Sequence, residues 1–156
     1  MAELFAGLIV LQFVAVVSHD LIDVPGWMHG HQVQEVIGRR RLLIATFVNA
    51  IFPGIAAAAA LVYWDRGAPR WVSDYWVLYC AITVGSALAM WYWPYLFGAS
   101  LAKKTELQRM YDGTRHVLPP RGDNPRPNLF HVCMHVLFVV NLGLAVVVWL
   151  RAAHHG

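Results

Sequence analysis

Two clusters of side chains in this chain have the types and spacing that chemistry needs. His19, Asp20 and Asp23 place one imidazole and two carboxylates directly after an apolar run, Leu4 to Val17. Residues four apart share a helix face, so His19 and Asp23 are expected to project together, with Asp20 about 100° away. Gln12 lies two turns earlier on the same stripe. His131 and His135 repeat the four-residue spacing at the start of another apolar run. Ionisable groups at membrane depth are expensive, so they face a protein interior and mark a working site.

Three chemistries suit such a set. His19, Asp23, His131 and His135 have the donor types that iron, zinc or manganese take in a helix-bundle interior. No HExxH or ExxH motif supports this. Haem is the second option, with His19 opposite His131 or His135 as axial ligands. The chain has no CxxCH signature, so the haem would be of b type. The third is metal-free acid–base catalysis, in which Asp20 or Asp23 orients His19 or donates a proton. The competing explanation is a purely architectural polar cluster.

The rest of the chain must bring these groups together. The hydrophobic share is 58% against 13% charged, which indicates an integral membrane protein rather than a soluble domain. Four apolar segments are long enough to span: about Leu4 to Val24, Leu42 to Trp64, Tyr75 to Phe97 and Leu129 to Leu150. The expected fold is therefore an all-α, four-transmembrane-helix bundle forming one membrane domain over residues 1–156. Nine basic residues fall in the first and third loops, and three (Arg66, Arg70 and Arg151) on the other side. By the positive-inside rule both loops are cytoplasmic and both termini are not. The net charge of +3 then reads as topology, and no nucleic-acid partner is expected. The N-terminal segment lacks a basic n-region and a small-residue cleavage site, so a cleaved signal peptide is not expected. Cys80 and Cys133 fall near opposite faces and are expected to pack rather than pair.

This topology puts His19 roughly 7 Å inside the end of the first span, and His131 and His135 roughly 3 and 9 Å inside the start of the fourth. Asn49, Trp93 and Tyr95 reach a comparable level from the other two spans. Asn49 and Trp93 are candidate cofactor-binding residues beside His131 and His135. Tyr95 is a candidate catalytic phenol beside His19, Asp20 and Asp23. Default roles compete: an aromatic belt for Met90 to Tyr95, and a Pro53-Gly54 kink for Asn49. His29 and His31 read as solvated loop histidines. The stretch Gln32 to Ile37 is amphipathic and suits a short interfacial helix.

The third loop, residues 98–128, reads as a cytoplasmic cap. Leu101 to Tyr111 could extend the third span, and the prolines at 119, 120, 125 and 127 forbid a helix beyond it. Arg121 and Arg126 could bind an anion or pair with Asp123. In size and span count the chain resembles small four-helix membrane isomerases that use haem b on epoxides; their ligand motif has no matching positions here.

Two classes of function follow. One is a small membrane enzyme of isomerase or oxidoreductase type, acting on a lipophilic small molecule that enters from the lipid bilayer. The other is a non-enzymatic accessory or haem electron-transfer subunit of a larger complex. A homo-oligomer and the inner membrane of a bacterium are the expected setting.

Overall fold

The computed structural model describes residues 2–154 and is mostly helical. Helix α1 covers Ala2–Ser18, followed by a two-stranded hairpin of β1, Asp23–Val24, and β2, Met28–His29. Then come α2, Gly30–Ile37; α3, Arg39–Tyr63; and α4, Arg70–Ala87. Leu88–Tyr92 continues α4 as a π-helical turn into α5, Trp93–Phe97. Helix α6, Leu101–Tyr111, and α7, Leu129–His154, complete the order.

Among the described residues, three helices are long and apolar enough to cross a membrane: Arg39–Tyr63, Arg70–Phe97 and Leu129–Ala153. Their outer faces carry large apolar side chains such as Phe47, Phe52, Leu78 and Trp71. So much exposed apolar surface is untenable in water and suits lipid. The chain is a membrane protein. Helix α1 is apolar but spans 17 residues, about 26 Å at the α-helical rise.

Helix α1 stops six residues short of the expected first span. The His19 ring donates from Nδ1 to the carbonyl of Val16 at 2.7 Å, and the Leu21 and Ile22 amides fold back onto the Ser18 carbonyl at 2.9 and 3.2 Å. The last-turn carbonyls are thus satisfied without another helical turn. The chain then reverses over Val24-Pro25-Gly26-Trp27. Proline sits at the second position, glycine with φ +74° at the third, and the Trp27 amide donates to Val24 O at 2.9 Å. This is the residue pattern of a type II turn.

Helix α1 lies between α3 and α7, and α7 lies between α1 and α4, while α3 and α4 meet over the least surface. At one end the bundle is tight: Phe5, Ile9, Ala56, Ala57, Ala60, Val72, Trp76, Cys80 and Ala145 form its core. The alanines let the backbones approach, and Trp76 donates from Nε1 to the Ala56 carbonyl at 3.2 Å. Cys80 packs here as expected; Cys133 is exposed instead, and both are free thiols.

Leu101–Tyr111 does not extend the preceding helix. Gly98, at φ +93°, breaks the chain, and Ser100 caps a new helix by accepting from the Lys103 amide. Helices α2, α3 and α6 pack together through Val33, Leu42 and Met110. The proline-rich segment after α6 is tied down at several points. Tyr95 donates to Pro119 O at 3.0 Å, Asn124 donates to Tyr95 O at 3.1 Å, and His116 Nδ1 donates to Pro127 O at 3.2 Å. Asp123 pairs with Lys104 at 2.8 Å rather than with Arg121 or Arg126.

Candidate active site

His131 is the centre of the polar cluster. It occupies the third position of α7, where its amide donates to Asn128 Oδ1 at 2.9 Å and its ring Nδ1 to the same oxygen at 2.7 Å. Asn128 Nδ2 donates in turn to the Trp27 carbonyl at 3.3 Å, which fixes the orientation of the amide. With Nδ1–H committed to Asn128, the uncharged ring presents a lone pair at Nε2. That nitrogen makes no hydrogen bond with the described residues and is not sealed by them.

Aromatic rings enclose His131. Trp91 lies 4.2 Å away, Tyr111 5.0 Å, His19 5.6 Å and His135 6.0 Å, centroid to centroid. Trp91 points inward from the π-helical turn, whose wider winding changes which aromatics of Met90 to Tyr95 face the bundle. Trp93 faces outward, 63% exposed and packed on Phe97. Tyr95 is spent on the cap loop. Neither lines the site; Trp91 and Tyr111 take the places expected of them.

His19 sits between two acceptors, the Val16 carbonyl at Nδ1 and Asp20 Oδ2 at 3.1 Å from Nε2. The Nδ1–H is committed to the Val16 carbonyl, and the Asp20 carboxyl lies within ion-pair distance of Nε2. Tyr111 approaches the other carboxylate oxygen at 3.5 Å. Burial, then the nearby Asp20 carboxylate, holds the Tyr111 phenol above the ordinary tyrosine range.

Asp23 does not join His19. The end of α1 and the type II turn carry it to His31, whose Nδ1 lies 2.6 Å and whose amide lies 3.2 Å from Asp23 Oδ1. His31 is thus paired rather than simply solvated, and its hydrogen bonds hold the Asp23 carboxyl below the ordinary aspartate range. The expected ligand set of His19, Asp23, His131 and His135 is not assembled. Among the described residues, no group of three or more His, Cys, Asp or Glu side chains could hold a metal ion.

The imidazoles open on a cavity of about 530 Å³, within the usual range for a small-molecule site. His19, His131, His135 and Trp91 line one end, and Asn49 reaches it from α3. The walls are Val48 and Phe52 on α3, Leu78 and Ile82 on α4, and Met90 on the π-helical turn, all on the apolar outer surface. At the other end Tyr75 donates from its hydroxyl to the Phe52 carbonyl at 2.8 Å, closing only that end of the α3–α4 seam. The cavity is therefore a lateral groove between α3 and α4 with its polar groups at the floor.

No protein family model, curated protein or solved structure matches this chain.

Of the residues expected from the sequence, His19, Asp20, His131 and His135 come together, and Asn49 lines the same space. Asp23, Trp93 and Tyr95 do not. The sequence reading missed Trp91, Tyr111 and Asn128. An Asn directly before an apolar run is a helix N-cap signal, so Asn128 could have been found that way.

Proposed function

We propose that this chain is a four-span integral membrane enzyme that moves a proton on a lipophilic substrate, an isomerase-type reaction. Helix α1 would be the additional span. The basic residues at 39–41 and 103–126 support cytoplasmic placement of the hairpin, α2, α6 and the proline-rich cap, with both termini outside. The inner membrane of a bacterium and assembly as a homo-oligomer belong to the same proposal, as does a single membrane domain.

The observation that carries this reading is the open Nε2 of His131 at the floor of a groove that faces lipid. A substrate would enter between α3 and α4. His131 would accept its proton at Nε2 and return it at a different position, so that only a bond position changes. The face of Trp91, 4.2 Å away, would stabilise the transient imidazolium. Asn128 would hold the ring and its tautomer, and the His19–Asp20 pair would keep a carboxylate near the developing charge. A metal ion would need a third ligand brought to His131 and His135, and a haem would need the rings packed on His131 to part. Acid–base transfer would need no further group.

The test is to incubate the purified protein, in lipid nanodiscs in D2O, with a neutral-lipid extract. Carbon-bound deuterium is then read by mass spectrometry. One lipid species should gain label with the wild type, and about 100-fold more slowly with His131→Phe, the usual scale for losing a general base. Equal labelling by both proteins, or none by either, overturns the reading.

A further inference from the structure

The groove's lining selects among lipids. It contains no Lys, Arg, Asp or Glu, so a phosphate or carboxylate headgroup would lie there without a counter-charge. A buried unpaired charge is prohibitive in such surroundings. A pure hydrocarbon would leave the open Nε2 of His131 unsatisfied. That atom needs a donor, because Nδ1–H is already given to Asn128 Oδ1 at 2.7 Å. His135 presents a second imidazole from the same helix face, 6.0 Å from the first, and its own Nδ1 is buried without a partner among the described residues. The floor is therefore polar, free of Lys, Arg, Asp and Glu, and offers one imidazole acceptor that still needs a donor.

We propose that the groove binds an uncharged lipid with a hydroxyl headgroup, an acylglycerol or long-chain alcohol. Its hydroxyl donates to His131 Nε2, and its chains pass out between Val48 and Ile82 into the bilayer. A volume of about 530 Å³ accommodates the headgroup and the first part of a chain, while the open seam leaves the remainder in lipid. This assignment rests on the proposed function only in naming the lipid class of that site, and the hydroxyl must leave Nε2 before that atom accepts a proton from carbon. Binding can nonetheless be measured without turnover.

The experiment is native mass spectrometry of the protein released from detergent after incubation with dioleoylglycerol, dioleoylphosphatidate or squalene. One equivalent of dioleoylglycerol should be retained, with at least tenfold less of the other two. Ser86→Trp, which fills the groove from its exposed α4 wall, should abolish retention, and His131→Phe should reduce it at least tenfold. Trp93→Phe, on the outer surface away from the groove, should leave it unchanged. Equal retention of phosphatidate or squalene, or full retention by Ser86→Trp, overturns the assignment whether or not His131→Phe folds. Selective dioleoylglycerol binding without deuterium transfer would sustain this inference and sink the proposed reaction.

Discussion

Asn128 and His131 form one unit: a single side-chain oxygen of Asn128 accepts both the amide and the ring Nδ1–H of His131, at 2.9 and 2.7 Å. The helix cap and the imidazole orientation therefore share a residue, and the hairpin's Trp27 carbonyl holds that residue in place. Asn128→Ala removes the cap and leaves the ring nitrogen unpaired. The expected loss is about 2–4 kcal/mol from the two effects together. Asn128→Ser can still cap the helix but does not reach the ring, so it should recover only the smaller share. Unfolding midpoints in mixed detergent micelles would show this; an Asn128→Ala protein as stable as wild type would contradict it.

Tyr111 contributes through its ring more than its hydroxyl. The ring packs on Trp91 at 5.4 Å and on His131 at 5.0 Å, whereas the hydroxyl contact to Asp20 is long, at 3.5 Å. Tyr111→Phe should therefore change stability by less than about 1 kcal/mol. Tyr111→Ala should lose about 3–5 kcal/mol, the scale for deleting a buried aromatic side chain. Near-ultraviolet circular dichroism through the unfolding transition separates the two, and similar losses for both would refute the assignment.

The sequence showed the His131/His135 pair and the level at which His19 meets it, because the four-residue spacing and the span lengths act over continuous helix. It failed where the backbone departs from regular winding. The π-helical turn at Leu88–Tyr92 decides that Trp91 rather than Trp93 faces inward, and no local composition announces that extra residue. The pairing of Asp23 with His31 instead of His19 follows from the helix stop at Ser18 and the reversal at Pro25-Gly26. Their residues were visible, but their geometry was not. Tyr111 was hidden because α6 carries Lys103, Lys104, Glu106 and Arg109 and reads as a solvated helix. Its burial comes only from packing against α2 and the bundle floor.

Gly30 is required by close approach. A Cβ there would lie 2.8 Å from both the Ile22 nitrogen and the Leu21 carbonyl carbon, and backbone atoms cannot step aside as a flexible side chain can. Gly30→Ala should destabilise the protein by about 1–3 kcal/mol, as overpacking does. It should also loosen the hairpin against α2. Hydrogen exchange at the Gly30 amide, which donates to Ile22 O at 3.2 Å, is the local readout. Unaltered protection there would show that the contact is not restrictive.

The Asp23–His31 contact gives the loop an acid-side dependence. The folded-state carboxyl lies below its ordinary value of 3.8, chiefly through the His31 side-chain hydrogen bond. A depressed carboxyl stabilises the fold above the unfolded-state value and loses that contribution as pH falls through the folded-state value. Protection of the His31 amide should thus be constant above about pH 5 and fall below about pH 4. Asp23→Asn should remove this acid-side step. A step that persists in Asp23→Asn would assign it to another group.

The most buried polar set lies away from the loops. Gln12 and Asn141 are 1% and 0% exposed. Asn141 Nδ2 donates to Gln12 Oε1 at 2.6 Å and to the Leu8 carbonyl at 3.1 Å, and Gln12 Nε2 donates to the Tyr79 hydroxyl at 2.7 Å. This links α1, α4 and α7 next to the cavity wall formed by Tyr79. Removing Gln12 alone strands its neighbours, whereas removing both amides leaves fewer unmet groups. Gln12→Leu and Asn141→Leu should therefore each destabilise, and the double variant should lose less than the two losses added. A coupling energy of about 0.6–1.7 kcal/mol is expected, the range found for side-chain hydrogen bonds between membrane helices. Strict additivity in a double-mutant cycle would mean that the amides act independently. The link that positions α1 against α7 would then have to be sought in apolar packing.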